Sequence, residues 1–396
     1  MSRGAGFALL LPLLLAAQPV ATDSYLPALP AIALELGSAS ASLTLFVLAF
    51  GIAQLVCGPL ADRIGRRPVL LGGLALYAIA AVGGAFAGSV SVLGVWRVMQ
   101  GLSMAAILVC ARAAVRDLYP AHEGPHVMAR GLAGLGIVAL IAPVLGAWMV
   151  QGFGWRSVMG AMALYASVLL AMCWRWFGET RAPEAGGRAV PAGSTRAVFA
   201  SAAFRAWASL AATTYGGIFA FLLLSPMVYI GYLGLSTAVY GWIPAGGSAV
   251  YILGTLLCRR LLRRIGAVRA VQFAASLSLC GAAVQGLGAW LAPHSAVPLL
   301  LGHAIYALGH GIHQPCGQAG SVGELPHLAG RAVSWSGFGM MMVAFCVGQV
   351  AARFVDPAFS HGAWPMVVPM LVAGVVLTAI AFLWLPRLPT PKKDTP

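Results

Sequence analysis

Long apolar runs, each separated from the next by a short polar segment, extend along the whole chain. The runs are about 20 residues long, which is the length that an α-helix needs to cross the hydrocarbon core of a bilayer. Transmembrane β-strands are only about ten residues long and alternate in polarity, which is not the pattern here. The sequence therefore predicts an all-α membrane protein with twelve transmembrane helices, at residues 6–26, 40–60, 69–89, 92–117, 127–150, 156–177, 204–229, 239–260, 269–291, 298–318, 332–353 and 364–385.

Composition agrees with this interpretation and excludes several classes of protein. Charged residues make up 9% and hydrophobic residues 60% of the 396 residues, whereas about 25% of the residues of a soluble domain are charged. The spans and their connections use nearly the whole chain, so no room remains for a soluble catalytic or ATP-binding domain. The sequence has no P-loop, and its cysteines form no CxxC pair. We therefore expect a protein embedded in the lipid bilayer that is not an enzyme and has no cofactor or metal site.

The net charge of +14 is explained by topology rather than by nucleic-acid binding. Arginines cluster in alternate connections between the apolar runs. If the N-terminus is inside, 20 cations lie in cytoplasmic segments and only Arg156 and Arg353 lie outside. Cytoplasmic loops of membrane proteins are enriched in Lys and Arg. The distribution predicts that both termini are cytoplasmic, and it disfavours removal of the first helix as a signal peptide.

The chain divides into two similar halves. Residues 182–203 begin with a stretch rich in Gly, Pro and small residues, which predicts a cytoplasmic linker. It separates an N-terminal six-helix bundle, 1–181, from a C-terminal six-helix bundle with a short tail, 204–396. The segments 60–65 and 261–266 are similar in sequence and lie at the same place in each half. Such an organisation is typical of secondary transporters, whose substrate binds between the halves.

Three segments of the first half resemble a known family. They are GPLADRIGRRP at 58–68, RVMQG at 97–101 and TDSYLPALP at 22–30, with Arg116-Asp117-Leu-Tyr119 and Glu179-Thr180-Arg181 as weaker matches. The first two resemble signatures of the major facilitator superfamily, and the others resemble its Bcr/CflA drug-resistance branch. The resemblance implies the major facilitator fold and proton-driven export of amphenicols, bicyclomycin-like compounds or other small drugs. In the second half the resemblance is less specific.

Several residues near the loop between the second and third helices form a candidate conformational gate. Glycine permits a tight turn and a close helix approach, and the charges are suited to an ionic network at the membrane surface. The candidate gate residues are Gly58, Asp62, Arg63, Gly65, Arg67, Arg112 and Asp117.

Asp23 and Arg97 are candidates for proton coupling because ionisable groups at membrane depth are costly unless they are paired, hydrated or neutralised. Asp23 is the only acid in the first apolar run. Its alternative role is to cap the outer end of that helix beside Pro27 and Pro30. Arg97 lies near Gln100 and is expected to face the cavity between the helices. The alternative is that it lies near the membrane–water interface, with its guanidinium pointing outward to the water.

The candidate substrate site combines polar and aromatic side chains of helices expected to line the cavity: Gln18, Thr22, Tyr25, Gln100, Tyr215 and Phe219. Leu15 stands where some relatives carry a second acid, which favours neutral or zwitterionic drugs over cations. Pro143 and Gly146 resemble the antiporter motif of exporters, although alanines occupy two of its glycine positions. His303, His310 and His313 are expected on one face of the tenth helix, with a proton, substrate or merely structural role.

Together these features predict a monomeric drug:proton antiporter of the bacterial inner membrane. Two alternatives remain open at this point. One is a major-facilitator importer or exporter of a small metabolite, and the other is a membrane sensor without transport activity or an integral membrane enzyme.

Overall fold

The helices follow the predicted apolar runs closely. In the computed structural model, residues 3–37, 39–120, 123–181, 195–325, 328–353 and 361–388 are described. All regular elements of these residues are helical. The helices are α1 (Arg3–Thr22), α2 (Leu29–Leu36), α3 (Ser40–Ile64), α4 (Arg66–Ala85), α5 (Val90–Leu118), α6 (Gly124–Phe153), α7 (Trp155–Trp176), α8 (Thr195–Ala200), α9 (Ala202–Pro226), α10 (Thr237–Leu291), α11 (Ala296–Gly323), α12 (Ala329–Ala352) and α13 (Trp364–Ala379).

Twelve long helical segments can be counted in the described residues. Ten helices are long and apolar enough to cross a membrane. One of these, α10, has 55 residues and is interrupted at Gly266, whose φ of 77° is not helical, so it forms two crossing segments. α11 is also long enough, with 28 residues, but its histidines and glutamines lower its mean hydropathy. The predicted all-α architecture with twelve spans is confirmed.

The first span differs from the single helix predicted at 6–26. α1 ends at Thr22, and the chain then turns through Asp23 and enters a short 3-10 helix, Leu26–Ala28, followed by α2. Pro27 and Pro30 lie at the starts of these two elements, where a missing N–H costs little. Asp23 therefore lies in a break of the first span rather than inside a continuous helix.

Contacts between helices divide into two sets, one in each half. α3 packs on α5, α4 on α5 and α7, and α1 on α6; in the second half α11 packs on α9 and α10, and α13 on α9 and α10. The halves meet where α12 packs on α3 and α10 packs on α6. We call the end of the molecule at which α1 finishes the Asp23 end, and the opposite end, with the arginines of 63–67, the basic end.

The segment before α9 is partly helical. Residues 195–200, which the sequence assigned to the linker, form α8, and Val198 is completely buried against Phe204, Leu325, Leu328 and Ala332. The aromatic rings of Phe199 and Trp335 are 5.1 Å apart. Residues 182–194 lie outside the described part of the chain.

Candidate functional site

Arg97 of α5 is completely buried, with no exposed surface. Both terminal nitrogens of its guanidinium donate to the carbonyl oxygen of Ala21, each at 3.2 Å, and one also donates to Gln100 Oε1 at 2.9 Å. The guanidinium carbon lies 4.2 Å from the ring centre of Tyr25 and 4.5 Å from that of Phe46. Arg97 is thus an interior residue, and the alternative position at the membrane interface does not apply.

Close packing between α5 and α3 creates this cage of aromatic rings. Gly101 lies directly against the backbone of α3, where a side-chain carbon would collide with the carbonyl oxygen of Phe46. Absence of a side chain at Gly101 therefore lets α3 approach α5 and brings Phe46 over the guanidinium. An aromatic face stabilises a cation most strongly when the pair is removed from water.

Asp23 is half-buried in the turn after α1. Its carboxylate accepts a hydrogen bond from the Thr22 hydroxyl at 2.7 Å, and its backbone N–H donates to Pro19 O at 2.8 Å. The carboxylate also lies within electrostatic range of the hydroxyl groups of Tyr215 and Tyr240, both in the second half. Asp23 is therefore placed where the two halves meet.

Asp23 and Arg97 are neighbours but do not form an ion pair with each other in the described structure. Arg97 binds the carbonyl of Ala21, two residues before Asp23. A cation bound to a backbone carbonyl fixes the position of the end of α1 and leaves the nearby carboxylate available to other partners.

The two residues of the antiporter-type motif lie on α6 beside this turn. Gly146 packs against the backbone of Ser24, and a side-chain carbon there would collide with the Ser24 carbonyl oxygen. Pro143 O also lies close to Gly241 of α10, where an added side-chain carbon would be only 3.1 Å from it. The motif therefore lies against both the Asp23 turn and the second half.

The candidate substrate residues separate into two groups. Tyr25 and Gln100 are completely buried and already engaged, because Tyr25 bonds to Ser42 at 2.8 Å and both contact Arg97. The remaining residues have no contact with Arg97 among those found. Gln18, Thr22 and Tyr215 are half-buried, whereas Phe219 is buried and stacks on Tyr215 with the ring centres 6.4 Å apart.

At the basic end, Arg66 is the centre of the charge network. Its guanidinium pairs with Asp62 at 2.6 Å and with Asp117 at 3.1 Å. Asp117 also accepts a hydrogen bond from the Thr180 hydroxyl at 3.2 Å. Arg66 therefore ties together the ends of α3 and α5 and the segment after α7.

Glu179 caps the first turn of α4. Its two carboxylate oxygens accept hydrogen bonds from the backbone N–H groups of Arg66, at 2.9 Å, and Arg67, at 3.1 Å. Gly65, with a φ of 103°, makes the turn that presents these N–H groups. Partial burial acts to raise the pKa of Glu179, but hydrogen bonds from the backbone N–H groups of Arg181, Arg66, Arg67 and Thr180 outweigh it and hold the pKa below its usual range.

The other predicted gate residues take no part in these ion pairs. Arg67 donates to the carbonyl of Trp174 at 2.9 Å, and the carbonyl of Arg63 accepts a hydrogen bond from Arg181 at 2.7 Å. Arg112 is exposed and does not join the network with Asp62 and Asp117 that the sequence suggested. Gly58 has open space beside it, so the close helix approach expected there does not occur in this conformation.

Arg66, Glu179 and Thr180 belong to this network but are not among the gate residues predicted from the sequence. The spacing of Asp62 and Arg66, four residues apart in one helix, is a signal that would have identified Arg66. Glu179 lies more than a hundred residues from α4, so no local pattern connects the two.

The histidines of α11 do not all share one face. At 100° per residue, His303 and His310 lie in line, whereas His313 is turned by about 80° from His303. His310 Nδ1 bonds to the hydroxyl of Thr214 on α9 at 2.9 Å, whereas His313 lies against Val271 in the second segment of α10. Within the described residues no group of three metal-ligating side chains is found.

Residues 122–126 have the spacing of the HExxH zinc motif, which requires two histidines on one helical turn. Glu123 precedes α6, and the helix begins at Gly124 and Pro125, inside the motif. His122 lies outside the described residues. The helical context of the zinc motif is therefore not met.

Comparison with known proteins gives consistent matches. Residues 13–348 match the family model described as Major Facilitator Superfamily. The chain is 27% identical to a chloramphenicol resistance protein of Pseudomonas aeruginosa over 91% of this chain and 86% of that protein. It is 27% identical to a bicyclomycin resistance protein homolog of Haemophilus influenzae over 96% of each chain, and 28% identical to multidrug resistance protein D of Escherichia coli over 83% and 84%.

Solved structures support the fold. A partially occluded, inward-open structure of the xylose transporter XylE from E. coli superposes with a TM-score of 0.76 at 15% identity, covering 100% of both chains. A bacterial homologue of the human lysosomal transporter Spinster, in an inward-facing and occupied conformation, superposes with a TM-score of 0.74 at 16% identity. The superposition covers 98% of both chains.

Proposed function

This chain belongs to the major facilitator superfamily, and we propose that it exports small neutral or zwitterionic antibiotics in exchange for protons. As a member of that family it is a transporter of small molecules and not an enzyme, and it crosses the bacterial inner membrane many times. The relatives named for resistance to chloramphenicol, bicyclomycin and several drugs support export as the direction of transport and small antibiotics as the class of substrate.

The position of Asp23 is the observation that carries the proposal. It is a half-buried carboxylate at the junction of the two halves, near a buried arginine and five residues after the half-buried Gln18. A carboxylate in such a place can bind and release a proton as its access to water changes. Gly146 of the antiporter-type motif supports the same turn through its contact with Ser24.

Coupling follows from linkage between two ligands. If drug and proton favour different states of the site, the binding of one lowers the affinity for the other by the same factor. In the proposed cycle Asp23 takes a proton from the outer side, where the drug leaves, and releases it on the inner side, where the next drug binds. Arg97 holds the end of α1 in place through its hydrogen bonds to the carbonyl of Ala21.

We place the basic end at the cytoplasm, with both termini, because that end carries the arginine clusters. The network of Arg66, Asp62 and Asp117 then lies at the inner surface, and it joins elements of the first half only. In this role it keeps the first half rigid while the halves move about the site. The protein is proposed to act as a monomer.

The proposal predicts that Asp23→Asn abolishes proton-driven transport. Inverted membrane vesicles would be energised to make their lumen acidic, and accumulation of radiolabelled chloramphenicol would be measured. Wild-type protein should accumulate the drug in proportion to the pH gradient, and Asp23→Asn should show only exchange that is independent of the gradient. Asn keeps the size of the side chain but cannot ionise.

Glu123→Gln is the control, because Glu123 is an exposed carboxylate near the basic end of α6. This variant should transport like the wild type. Accumulation by Asp23→Asn at the wild-type rate and with the same dependence on the gradient would overturn the proton-carrier role of Asp23.

A further inference from the structure

Two buried cysteines of the second half are in direct contact with each other. The sulfur atoms of Cys258 on α10 and Cys316 on α11 are 3.6 Å apart, and both cysteines are free thiols. Their exposed fractions are only 2% and 6%. We call this pair the second-half dithiol.

The second-half dithiol depends on a close approach of α10 and α11. Gly254 lies one helix turn before Cys258, and a side-chain carbon on it would collide with the carbonyl oxygen of Leu308. A side-chain carbon on Gly311 would collide with the carbonyl oxygen of Tyr251. The backbones of the two helices are therefore in contact, and this packing holds the two thiols side by side.

The first half has a cysteine pair at the corresponding positions. Cys57 and Cys258 each lie three residues before the repeated segment of their half. Cys110 and Cys316 each lie 20 residues after the start of α5 and α11, respectively. Cys57 and Cys110 lie near each other, but no direct contact between their sulfur atoms is found in the described structure. A buried thiol pair is thus common to both halves, and the sulfurs touch in the second.

Two alanines explain this difference between the halves. Ala53 in the first half corresponds to Gly254, and it is buried. Ala105 corresponds to Gly311, and it is buried as well. Each alanine adds a methyl group where the second half has none, so α3 and α5 cannot approach each other as closely at this level.

The separation of the sulfurs fits two thiolates bound to one atom in a bent arrangement. Bonds of about 2.3 Å hold two sulfurs about 3.8 Å apart at a tetrahedral angle and about 4.6 Å apart in a line. The observed 3.6 Å agrees with the bent arrangement. Structural zinc takes four protein ligands, but among the described residues no third metal-ligating side chain joins this pair. A fitting ligand must therefore supply its own remaining bonds.

We propose that the second-half dithiol binds trivalent arsenicals that carry one carbon substituent. Such an arsenic atom has one As–C bond and two exchangeable hydroxyl groups, so two soft thiolate ligands complete its three bonds. With methylarsenous acid, CH3As(OH)2, two As–O bonds and two S–H bonds break, two As–S bonds form, and two molecules of water leave. Arsenic stays trivalent, so the reaction needs neither an oxidant nor a reductant.

Exposed surface lies close to the second-half dithiol. Leu262 follows Cys258 by one helix turn, Ala319 follows Cys316 by one helix turn, and both Leu262 and Ala319 are exposed. A small arsenical can therefore reach the thiols from the basic end of the molecule. Bound arsenic would link α10 to α11 within the second half, at the end opposite to Asp23.

The test uses purified full-length protein in detergent, kept reduced, with methylarsenous acid as the probe. In a variant that keeps Cys258 and Cys316, with the other five cysteines replaced by Ala, native mass spectrometry should show one bound methylarsenic group. Cys258→Ser and Cys316→Ser should each weaken binding by about 100-fold or more, because the second As–S bond forms within one molecule. Cys258→Ala and Cys316→Ala should give the same loss without bringing a hydroxyl group into the contact.

A variant that keeps only Cys57 and Cys110 is the matched control. It has two buried thiols at the corresponding positions of the first half, without direct contact between them. This variant should bind methylarsenous acid no more tightly than a variant with a single cysteine. Equal affinity of the two cysteine pairs would overturn the assignment, because binding would then not depend on the contact between sulfurs.

Thermal unfolding separates a binding role from a role in packing alone. Methylarsenous acid should raise the unfolding temperature of the variant that keeps Cys258 and Cys316, because the ligand binds the folded pair. Excess 2,3-dimercaptopropanol, a competing dithiol, should reverse both this rise and the gain in mass. A gain in mass only after the protein has been unfolded would show that the contact is packing alone, and it would overturn the proposal.

The second-half dithiol is independent of the proposed export mechanism. Asp23→Asn in the two-cysteine background should bind methylarsenous acid with unchanged affinity, whatever its effect on proton-driven transport. Loss of arsenical binding in that variant would overturn the independence of the two sites.

Discussion

At the scale of single residues, the environment of Arg97 shows how a charge is kept inside the membrane without a carboxylate partner. Its guanidinium has hydrogen bonds to Ala21 and Gln100 and lies against two aromatic rings. An unpaired charge in the bilayer interior costs several kcal/mol, and a desolvated cation–π contact contributes about 2 kcal/mol. The two rings are therefore a substantial part of what stabilises this residue.

We accordingly predict that Phe46→Leu destabilises the protein more than Phe50→Leu does. The two phenylalanines are buried on the same helix with their rings 6.2 Å apart, but only Phe46 contacts Arg97. Phe46→Leu should lower the free energy of unfolding by about 1–2 kcal/mol more than Phe50→Leu does, measured by denaturant unfolding in detergent.

A double-mutant cycle provides the check. In an Arg97→Gln background the difference between the two phenylalanine variants should disappear, because the contact with the cation is already lost. An unchanged difference in that background would mean that Phe46 acts through apolar packing alone.

At the scale of helices, the contact between α6 and the end of α1 depends on one glycine. Gly146 faces the Ser24 backbone directly, so any side chain at this position must push the Asp23 turn away from α6. Backbone cannot move aside as a flexible side chain can. The antiporter-type motif is thus explained by the need for this close approach.

Gly146→Ala should lower the free energy of unfolding by about 1–3 kcal/mol, as expected for overpacking, and should reduce transport. The matched control is Gly160→Ala on α7, where the added methyl group meets open space. The free energy of unfolding of that variant should rise by up to about 1 kcal/mol, because Ala favours the helix more than Gly does. Thermal unfolding of both variants measures the two opposite effects, and equal shifts of the same sign would refute the argument.

At the scale of the whole molecule, the two halves are in contact at the Asp23 end. The Thr44 hydroxyl on α3 lies 3.4 Å from Gln349 Oε1 on α12, and Gly241 of α10 packs against Ala147 of α6. A transporter of this organisation exposes its site to either side as one half rocks against the other. These contacts must therefore separate once in each cycle.

We predict that a disulfide between Thr44→Cys and Gln349→Cys stops transport and that a reductant restores it. The experiment uses a background in which the seven native cysteines are replaced by Ala, with copper phenanthroline as the oxidant. The crosslink holds the halves together at the Asp23 end, so the site cannot open there.

Ser201→Cys with Glu324→Cys is the control pair. Their side chains are 3.5 Å apart, and Ser201 caps the start of α9 while Glu324 ends α11, so neither residue belongs to the first half. A crosslink within one half should leave transport unchanged. Full transport by the oxidised Thr44–Gln349 pair would refute the requirement for separation at this end.

The sequence by itself determined the helices, their number and their approximate limits, because the apolar runs needed to cross a bilayer are local features. It also located the basic connections, the turn at Gly65 and the family signatures, since each is contained in a short segment. The isolated acid Asp23 and the isolated cation Arg97 were visible for the same reason: charges are conspicuous in an apolar run.

Only the tertiary structure decided which groups these residues contact. Arg97 binds the carbonyl of Ala21 rather than the carboxylate of Asp23, and Arg66 rather than Arg112 pairs with Asp62 and Asp117. Glu179 caps a helix that begins more than a hundred residues earlier. These partners depend on the distances between helices that are far apart in the chain. A pattern along the sequence records the depth and direction of a side chain, but packing between helices sets which atoms meet.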